Sequence, residues 1–304
     1  MTLREILEHT LTGRDLDRGA ARDVLGRVLD GEVDSHWLAG WLVALRTKGE
    51  TVDELAGMAE AMRDHAAVVS TGIDGLVDTC GTGGDGADTF NVSTASAFVA
   101  AGAGARVAKH GNRAVSSRCG SADVLEELGG IVELDAAHVA GAIAAVGFGF
   151  QYAPRHHAAM RHAAAARRGL GVRTAFNLLG PLTNPANAPH QVVGVFARER
   201  LEIVARTLGA LGTVRSLVVH GRDGLDELSV CAVSDAMLVE NGRCTALEID
   251  PAAYGLGPHR AEELTGGDAA RNAAIVGAIL GGEAGAPRDI VVLNAAAALW
   301  VSGA

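Results

Sequence analysis

The feature that most constrains this chain is a change in hydrophobic period near residue 75. Before that point Leu3, Ile6, Leu7 and Leu11 keep the three-to-four-residue spacing of an amphipathic helix, as do Val24, Leu25, Val28 and Leu29, and then Leu38, Trp41, Leu42 and Leu45. Ser35 is placed to cap the third helix, and Thr51-Val52-Asp53-Glu54 has capping-box spacing ahead of a fourth. Trp37 and Trp41 read as core or dimer packing rather than ligand contacts. After residue 75, short apolar runs (Leu76-Val77, Arg106–Ala108, Ile131–Leu134, Gly147–Gln151) alternate with helical stretches at 94–102, 122–128 and 136–145. That alternation marks βα units on a parallel sheet.

Further on, 158–168 is Ala-rich and helical, Gln191–Phe196 and Ser216–His220 read as strands around a helix at 199–209, and Asn241-Gly242 between apolar runs suggests a hairpin. Asp268 is placed to cap a helix ending at Gly281-Gly282, and 289–300 forms a last helix. The expected fold is α/β: a small N-terminal α-helical domain over 1–72, then a larger α/β domain over 73–304 with a mostly parallel central sheet.

The net charge of −10 excludes a general nucleic-acid binder, so an anionic ligand must meet a local cationic site or a metal. Aromatic residues make up only 4% of the chain, which leaves Ala, Val, Leu and Gly to fill the interior. Cys80, Cys119, Cys231 and Cys244 have no CxxC spacing and suggest a reducing, cytoplasmic setting. The charged N-terminus lacks an apolar signal core, and no stretch of about 18 residues is free of polar or Gly-rich breaks, so no membrane span is expected.

Four clusters carry chemistry. Asp78-Thr79-Cys80-Gly81-Thr82-Gly83-Gly84-Asp85-Gly86 follows a short strand and precedes Asn91-Val92-Ser93-Thr94 at the start of a helix. Closely spaced glycines let backbone N–H groups approach phosphate oxygens, with the helix N-terminus adding partial positive charge. The segment is neither a Walker loop nor a GxGxxG fingerprint, and Asp85 requires a hydroxyl, a donor or a metal as partner. The next strand ends in Lys109-His110-Gly111-Asn112-Arg113, followed by Ser116-Ser117 and Gly120-Ser121; Lys109 is one of only two lysines, the other being Lys48. A compact ammonium kept at a strand end of an arginine-biased chain points to a ligand.

The third cluster, His220-Gly221-Arg222-Asp223-Gly224-Leu225-Asp226-Glu227, places adjacent carboxylates after a strand, a pattern that suits Mg²⁺. The fourth holds Arg155, His156, His157, Arg161, His162, Arg167, Arg168 and Arg173 ahead of 177–185. Its histidines lack zinc spacing, and it reads either as a solvated cationic face or as recognition of a carboxylate-bearing substrate.

In this order, GTGGD with NVSTAS, KHGNRAVSS, RTAFNLLGPLTNP and HGRDGLDELS, with ALRTKGET upstream, resemble the motif set of the anthranilate phosphoribosyltransferases. The resemblance implies a nucleoside phosphorylase/phosphoribosyltransferase-like fold whose helical domain also takes in a segment around 165–185 and forms the contact of a homodimer. It implies displacement of pyrophosphate from ribose C1 of phosphoribosyl pyrophosphate by the amine of anthranilate. Contacts to the phosphoribosyl donor are implied for Gly81, Gly84, Asp85, Thr89, Asn91, Val92, Ser93, Thr94, Lys109, Ser117 and Ser121. Contacts along the anthranilate path are implied for Gly81, His110, Asn112, His157, Arg167, Gly180 and Pro181, with Arg167 matching the carboxylate. Ser93, Asp226 and Glu227 are implied to hold Mg²⁺.

No residue is singled out as a general acid or base, because an aromatic amine is already neutral near pH 7 and positioning with charge stabilisation is enough. Family chains continue into further C-terminal helix beyond the position of Ala304, so weaker packing there, with the site motifs intact, is the expectation. A pyrimidine-nucleoside phosphorylase shares the architecture, but its segment after the Lys-His motif differs from 118–123 and it has no use for 177–185. A non-catalytic sensor of the same donor would not need the acidic pair Asp226-Glu227.

Overall fold

Both hydrophobic regimes appear in the computed structural model, which describes residues 1–114 and 118–304. Four helices open the chain: α1 (Leu3–Leu11), α2 (Arg18–Leu29), α3 (Ser35–Lys48) and α4 (Val52–Asp64). The capping box of α4 forms as expected, Thr51 Oγ1 accepting from the Glu54 N–H and the Glu54 carboxylate accepting from the Thr51 N–H. The third helix is capped one residue earlier than expected. Asp34 accepts from the His36 N–H, and Ser35 is the first helical residue. Trp41 is fully buried and stacks on Trp37 with ring centroids 5.9 Å apart, in keeping with packing. Gly57 lets α4 lie directly on the first turn of α2, since a Cβ there would sit 2.1 Å from the Arg18 carbonyl oxygen.

The rest of the chain alternates as the sequence suggests. In order come β1 (Leu76–Gly81), α5 (Val92–Gly102), β2 (Arg106–Gly111), α6 (Ser121–Glu127), α7 (Ala136–Val146), β3 (Phe148–Tyr152), α8 (Ala153–His156), α9 (Ala164–Leu170), α10 (Phe176–Leu179), β4 (His190–Gly194), α11 (Leu201–Ala210), β5 (Arg215–Gly221), β6 (Ser234–Glu240), β7 (Arg243–Ile249), α12 (Ala269–Leu280) and α13 (Ala286–Ser302). The seven strands form one sheet in the order β3-β2-β1-β4-β5-β6-β7. The pairings from β3 to β5 are parallel, and β6 and β7 add an antiparallel edge. Their hairpin turns at Asn241 and Gly242, both with positive φ, the geometry for which Asn-Gly is suited.

Ile131–Leu134 is not a strand. The sheet position beside β2 is taken by β3, so this segment has no backbone partner. Ile131 is exposed, and only Val132 is buried, in a small cluster with Ala122, Leu125 and Phe150.

Helices cover both faces of the sheet. On one, α5 and α13 bury Ala95, Ala97, Ile290 and Val291 against Val77, Val192 and Leu217. On the other, α11 joins the opening helices in a single cluster that runs from Leu25 and Leu42 to Val193 and Val218. Helices α9 and α10 return to pack on α3 and α4 respectively.

From β1 the chain proceeds to β2 and β3 in one direction, whereas β4 joins the other side of β1 and leads on to β5. In open α/β sheets such a reversal leaves a crevice at the carboxyl ends of the two strands, where ligands bind. Here those ends are Gly81 and Gly194. The close seating of α4 on α2 gives a test of the fold. Gly57→Val should lower stability by about 2 kcal/mol or more, because backbone rather than a flexible side chain stands in the way. An unchanged denaturant midpoint would contradict the packing.

Candidate active site

The glycine-rich segment leaves β1 at the switch point and turns back through positive φ at Gly83, Gly84 and Gly86, conformations available to glycine without strain. Its two ends are fixed. Thr82 donates its N–H to the Gly194 carbonyl at 2.8 Å and accepts through Oγ1 from the Phe196 N–H at 3.0 Å. At the far end Thr89 bridges Thr265. Between them the loop meets the turn after β5. Asp226 Oδ2 accepts from the Gly83 N–H at 2.8 Å, and Asp85 Oδ2 accepts from the Asp226 N–H at 3.4 Å. Gly81 and Gly194 permit this approach: a Cβ on Gly81 would lie 2.9 Å from Asp226 Oδ2, and one on Gly194 would lie 1.5 Å from the Asp226 carbonyl oxygen.

Ser93, in the first turn of α5, links this pair to the next strand. The Lys109 ammonium donates to Ser93 Oγ at 3.2 Å and to the Thr79 carbonyl, and the charge of Glu227 acts on that ammonium from the turn after β5. Residues from β1, α5, β2 and the β5 turn therefore converge on one crevice. Its electrostatics are unbalanced. Burial, and then the neighbouring Asp85, push the Asp226 carboxyl up to about 7. Burial, and then Asp226, push Glu227 up to about 8, with Lys109 opposing. Both side chains are half-buried at the crevice surface, so the crowding of acids lies where a cation can reach it.

Buried amides hold these groups in place. Asn184 Nδ2 donates to Asp78 Oδ2 at 2.7 Å and to the Ala108 carbonyl at 2.8 Å, and Asp78 Oδ1 accepts from the His110 N–H at 3.1 Å. Asp78 thus anchors the strand end that carries Lys109 and lies near the ammonium; burial raises the Asp78 pKa and lowers that of Lys109, and their attraction opposes both. Asn294 of α13 accepts from the Leu228 N–H at 3.0 Å and donates to its carbonyl at 2.9 Å, fixing the backbone next to Glu227. Both asparagines are buried, and neither was given a role from the sequence, where a polar residue in an apolar run carries no mark of its partner.

Other expected site residues fall into three groups. Ser121 opens α6, its Oγ donating to the Asn112 carbonyl at 3.2 Å, and Asp123 closes the same loop by accepting from the N–H groups of Ala114 and Gly120. Ser117 lies outside the described residues. The Val92 and Thr94 side chains are buried; the Val92 N–H is committed to the Phe90 carbonyl, whereas Thr94 Oγ1 has no hydrogen-bond partner among the described residues. In the third cluster only Asp226 and Glu227 reach the crevice. His220 bonds the Val195 carbonyl at 2.8 Å, and Asp223 accepts from Ser229 Oγ at 2.6 Å.

Beside the crevice, the His110 and His157 rings lie 5.1 Å apart. Burial, and then His157, lower the His110 pKa to about 3 against a weaker pull from the Gly180 backbone, and burial lowers His157 to about 4. Both are neutral at pH 7. His110 Nε2 is buried without a hydrogen-bond partner among the described residues. His157 Nε2 lies 3.0 Å from the Thr183 carbonyl, and the Pro181 carbonyl accepts from Gln191 at 2.7 Å, so the 180–184 segment is tied to both neighbours. Asn112 is exposed at the loop entrance. Arg167 is exposed, 5.3 Å above the Phe176 ring, and forms no ion pair among the described residues, which leaves its guanidinium available.

Arg173 has a different post from the rest of the cationic cluster. It donates to the Gly84 carbonyl and lies 4.1 Å over the Phe196 ring, while its own carbonyl accepts from Arg46 of α3. A shallow depression of about 340 Å³ between α2 and α4, lined by Arg22, Asp30 and Asp64 among others, is open but lacks this convergence of unbalanced groups, so the crevice is the better candidate.

Residues 73–304 match the a/b domain of a glycosyl transferase family, and residues 4–66 match that family's helical bundle domain. The chain is 52% identical over 304 residues to the anthranilate phosphoribosyltransferase of Myxococcus xanthus, covering 100% of this chain and 90% of that protein. The chain belongs to the anthranilate phosphoribosyltransferase family. Among solved members of that family, the Thermus thermophilus enzyme superimposes with a TM-score of 0.92 at 45% identity, covering 98% of this chain and 89% of that one. The Saccharomyces cerevisiae enzyme, in complex with PRPP and Mg, gives 0.88 at 27% identity, covering 99% and 88%.

The neutral histidines give a stability test. His157 titrates near 6.5 when unfolded and near 4 when folded, so the unfolded chain takes up the proton first as pH falls. Its contribution is complete above about pH 6.5 and is lost toward pH 4. Between pH 7 and 5 the protein should lose about 2 kcal/mol that His157→Asn does not lose, read from paired denaturant titrations. Parallel losses in the two proteins would contradict a buried neutral His157.

Proposed function

We propose that this chain transfers the phosphoribosyl group of phosphoribosyl pyrophosphate to the amine of anthranilate, releasing pyrophosphate, as a step of tryptophan biosynthesis. The observation that carries the reading is the meeting of the Gly83 N–H with Asp226 and of Lys109 with Ser93, with the charges of Asp226 and Glu227 acting on the same ammonium, at the switch point of the sheet. A diphosphate has several negative charges to spread. The glycine-rich backbone, Lys109 and the start of α5 offer N–H and ammonium donors for it.

Asp226, Glu227 and the Ser93 hydroxyl are the groups that would hold Mg²⁺, with Asp85 beside them. The residues fit, because Mg²⁺ takes one or two carboxylates with its remaining positions left to water and phosphate oxygens, and two adjacent carboxylates raised first by burial and then by neighbouring acids would be relieved by a divalent cation. When bound, Mg²⁺ supplies neutralisation of the departing pyrophosphate. The protein's part is to hold ribose C1 in line between the leaving oxygen and the incoming nitrogen. The amine lone pair forms the new C1–N bond as the C1–O bond breaks, and the nitrogen then releases its proton. His110 and His157, both neutral, would wall the acceptor's position, and Arg167 would take its carboxylate.

The same reading makes the protein a cytoplasmic homodimer joined through the opening helices, where Leu11 of α1 and Val43 of α3 are exposed. No helix among the described residues is long and apolar enough to cross a membrane. Sedimentation at two concentrations would detect the dimer.

Anthranilate fluorescence tests the activity directly, since emission should fall only when phosphoribosyl pyrophosphate and Mg²⁺ are both present. Unchanged emission with measurable donor binding would mean a sensor instead. Arg167→Ala should raise KM for anthranilate by about 10- to 100-fold, the loss of a charge-assisted carboxylate pair, and leave KM for the donor nearly unchanged. Equal rises would remove Arg167 from the acceptor site. Asp226→Asn with Glu227→Gln should cut kcat by on the order of a hundredfold or more and change the Mg²⁺ dependence. An unaltered metal titration would remove the pair from the site.

A further inference from the structure

Asn91 occupies the N-cap of α5, a position where asparagine ordinarily bonds an N–H of its own first turn. Here its side chain makes no such bond. Its Oδ1 accepts from Asn272 Nδ2 at 2.9 Å, and its Nδ2 donates to the Cys119 carbonyl at 3.2 Å. Both partners lie far away in sequence. Cys119 stands directly before Gly120 and Ser121, the start of α6 and the end of the second site loop. Asn272 is buried in α12 and is itself oriented, because its Oδ1 accepts from the Gly267 N–H at 2.7 Å.

The segment ahead of α12 holds the same strip of backbone. The Leu264 carbonyl accepts from the Phe90 N–H, Thr265 bridges Thr89, and the Gly266 N–H donates to the Asp88 carbonyl. Gly266 has no room for a side chain, since a Cβ there would lie 2.7 Å from the Phe90 nitrogen and 2.8 Å from Asn272 Oδ1.

We propose that Asn272 is a positioning residue for the phosphoribosyl-donor site, holding the Asn91 amide away from its own helix end and across to the second site loop. Two consequences follow from that diversion. The first turn of α5 is left without a side-chain cap, so its N–H groups stay open toward the donor, and the two loops that flank the donor are held in one register through a single amide. Without the Asn272 donor, Asn91 is free to rotate back and cap α5 in the ordinary way, which satisfies the helix but loosens the loop ending at Cys119. The defect should therefore appear in donor binding more than in folding. The inference rests on the reading of the crevice as a phosphoribosyl-donor site.

The test compares the unsubstituted chain with Asn272→Ala, Asn272→Asp, Asn91→Ala and the double Asn91→Ala/Asn272→Ala. Steady-state kinetics are measured in both substrates, and calorimetric titration with phosphoribosyl pyrophosphate in the presence of Mg²⁺ gives Kd. Asn272→Asp keeps the acceptor for Gly267 but cannot donate to Asn91, so it carries the test even if the alanine variant folds poorly. Asn272→Asp and Asn272→Ala should each raise KM and Kd for the donor about tenfold, with KM for anthranilate within about twofold of normal. In the Asn91→Ala background the second substitution should add less than about twofold, because its route of action is already gone.

Equal rises for both substrates, multiplicative losses in the double variant, or a normal donor Kd in Asn272→Asp would each overturn the proposal. The two levels fail separately. An unsubstituted chain that binds the donor without turnover contradicts the transferase reading and leaves Asn272 to be judged on Kd. A chain that binds no donor overturns both.

Discussion

The bond between the Gly83 N–H and the Asp226 carboxylate sets the terms for the rest of the site. It joins the loop after β1 to the turn after β5, across the strand between them, and it exists only because Gly81 and Gly194 carry no side chain at the point of contact. Closing that gap gathers Asp85, Asp226 and Glu227 into one crevice, where burial first and their mutual repulsion second lift Asp226 and Glu227 toward neutrality. Such crowding opposes folding, and protein packing elsewhere must hold it. The sheet does so with apolar clusters on both faces.

Buried asparagines recur as the means of holding site backbone. Asn184 reaches Asp78 and β2, Asn272 reaches Asn91 and the 264–267 segment, and Asn294 grips Leu228. An amide can donate and accept at once, so a single side chain satisfies buried groups on two segments without adding charge to an already acidic crevice. The arrangement lets loops supply the ligand contacts while helices and strands supply the rigidity.

Much of this was legible in the residues. Period changes located the helical start and the alternating remainder, Asn241-Gly242 marked its hairpin, and Thr51 with Glu54 marked its cap, because each signal is local and stereochemical. Four clusters in sequence were enough to suggest one anionic site. What could not be read depends on tertiary neighbours. Ile131–Leu134 has the composition of a strand but no free sheet edge. Ser35 was a plausible cap until Asp34 supplied a better acceptor one residue earlier. Arg173 belongs to a cluster that reads either as a solvated cationic face or as carboxylate recognition, and its post on Gly84 follows from where α10 and the preceding loop return to the helical layer. Asn184 falls within a quoted motif, but the bonding role of none of the three asparagines was legible, since a buried amide and an exposed one are the same letter.

A crystal structure of this chain with phosphoribosyl pyrophosphate and Mg²⁺ addresses the central claim most directly. Diphosphate density is expected along the backbone of 81–85 and against Ser93, with the cation between it and the Asp226–Glu227 pair. Donor density seated instead in the depression between α2 and α4, or a cation without contact to either carboxylate, would contradict that claim.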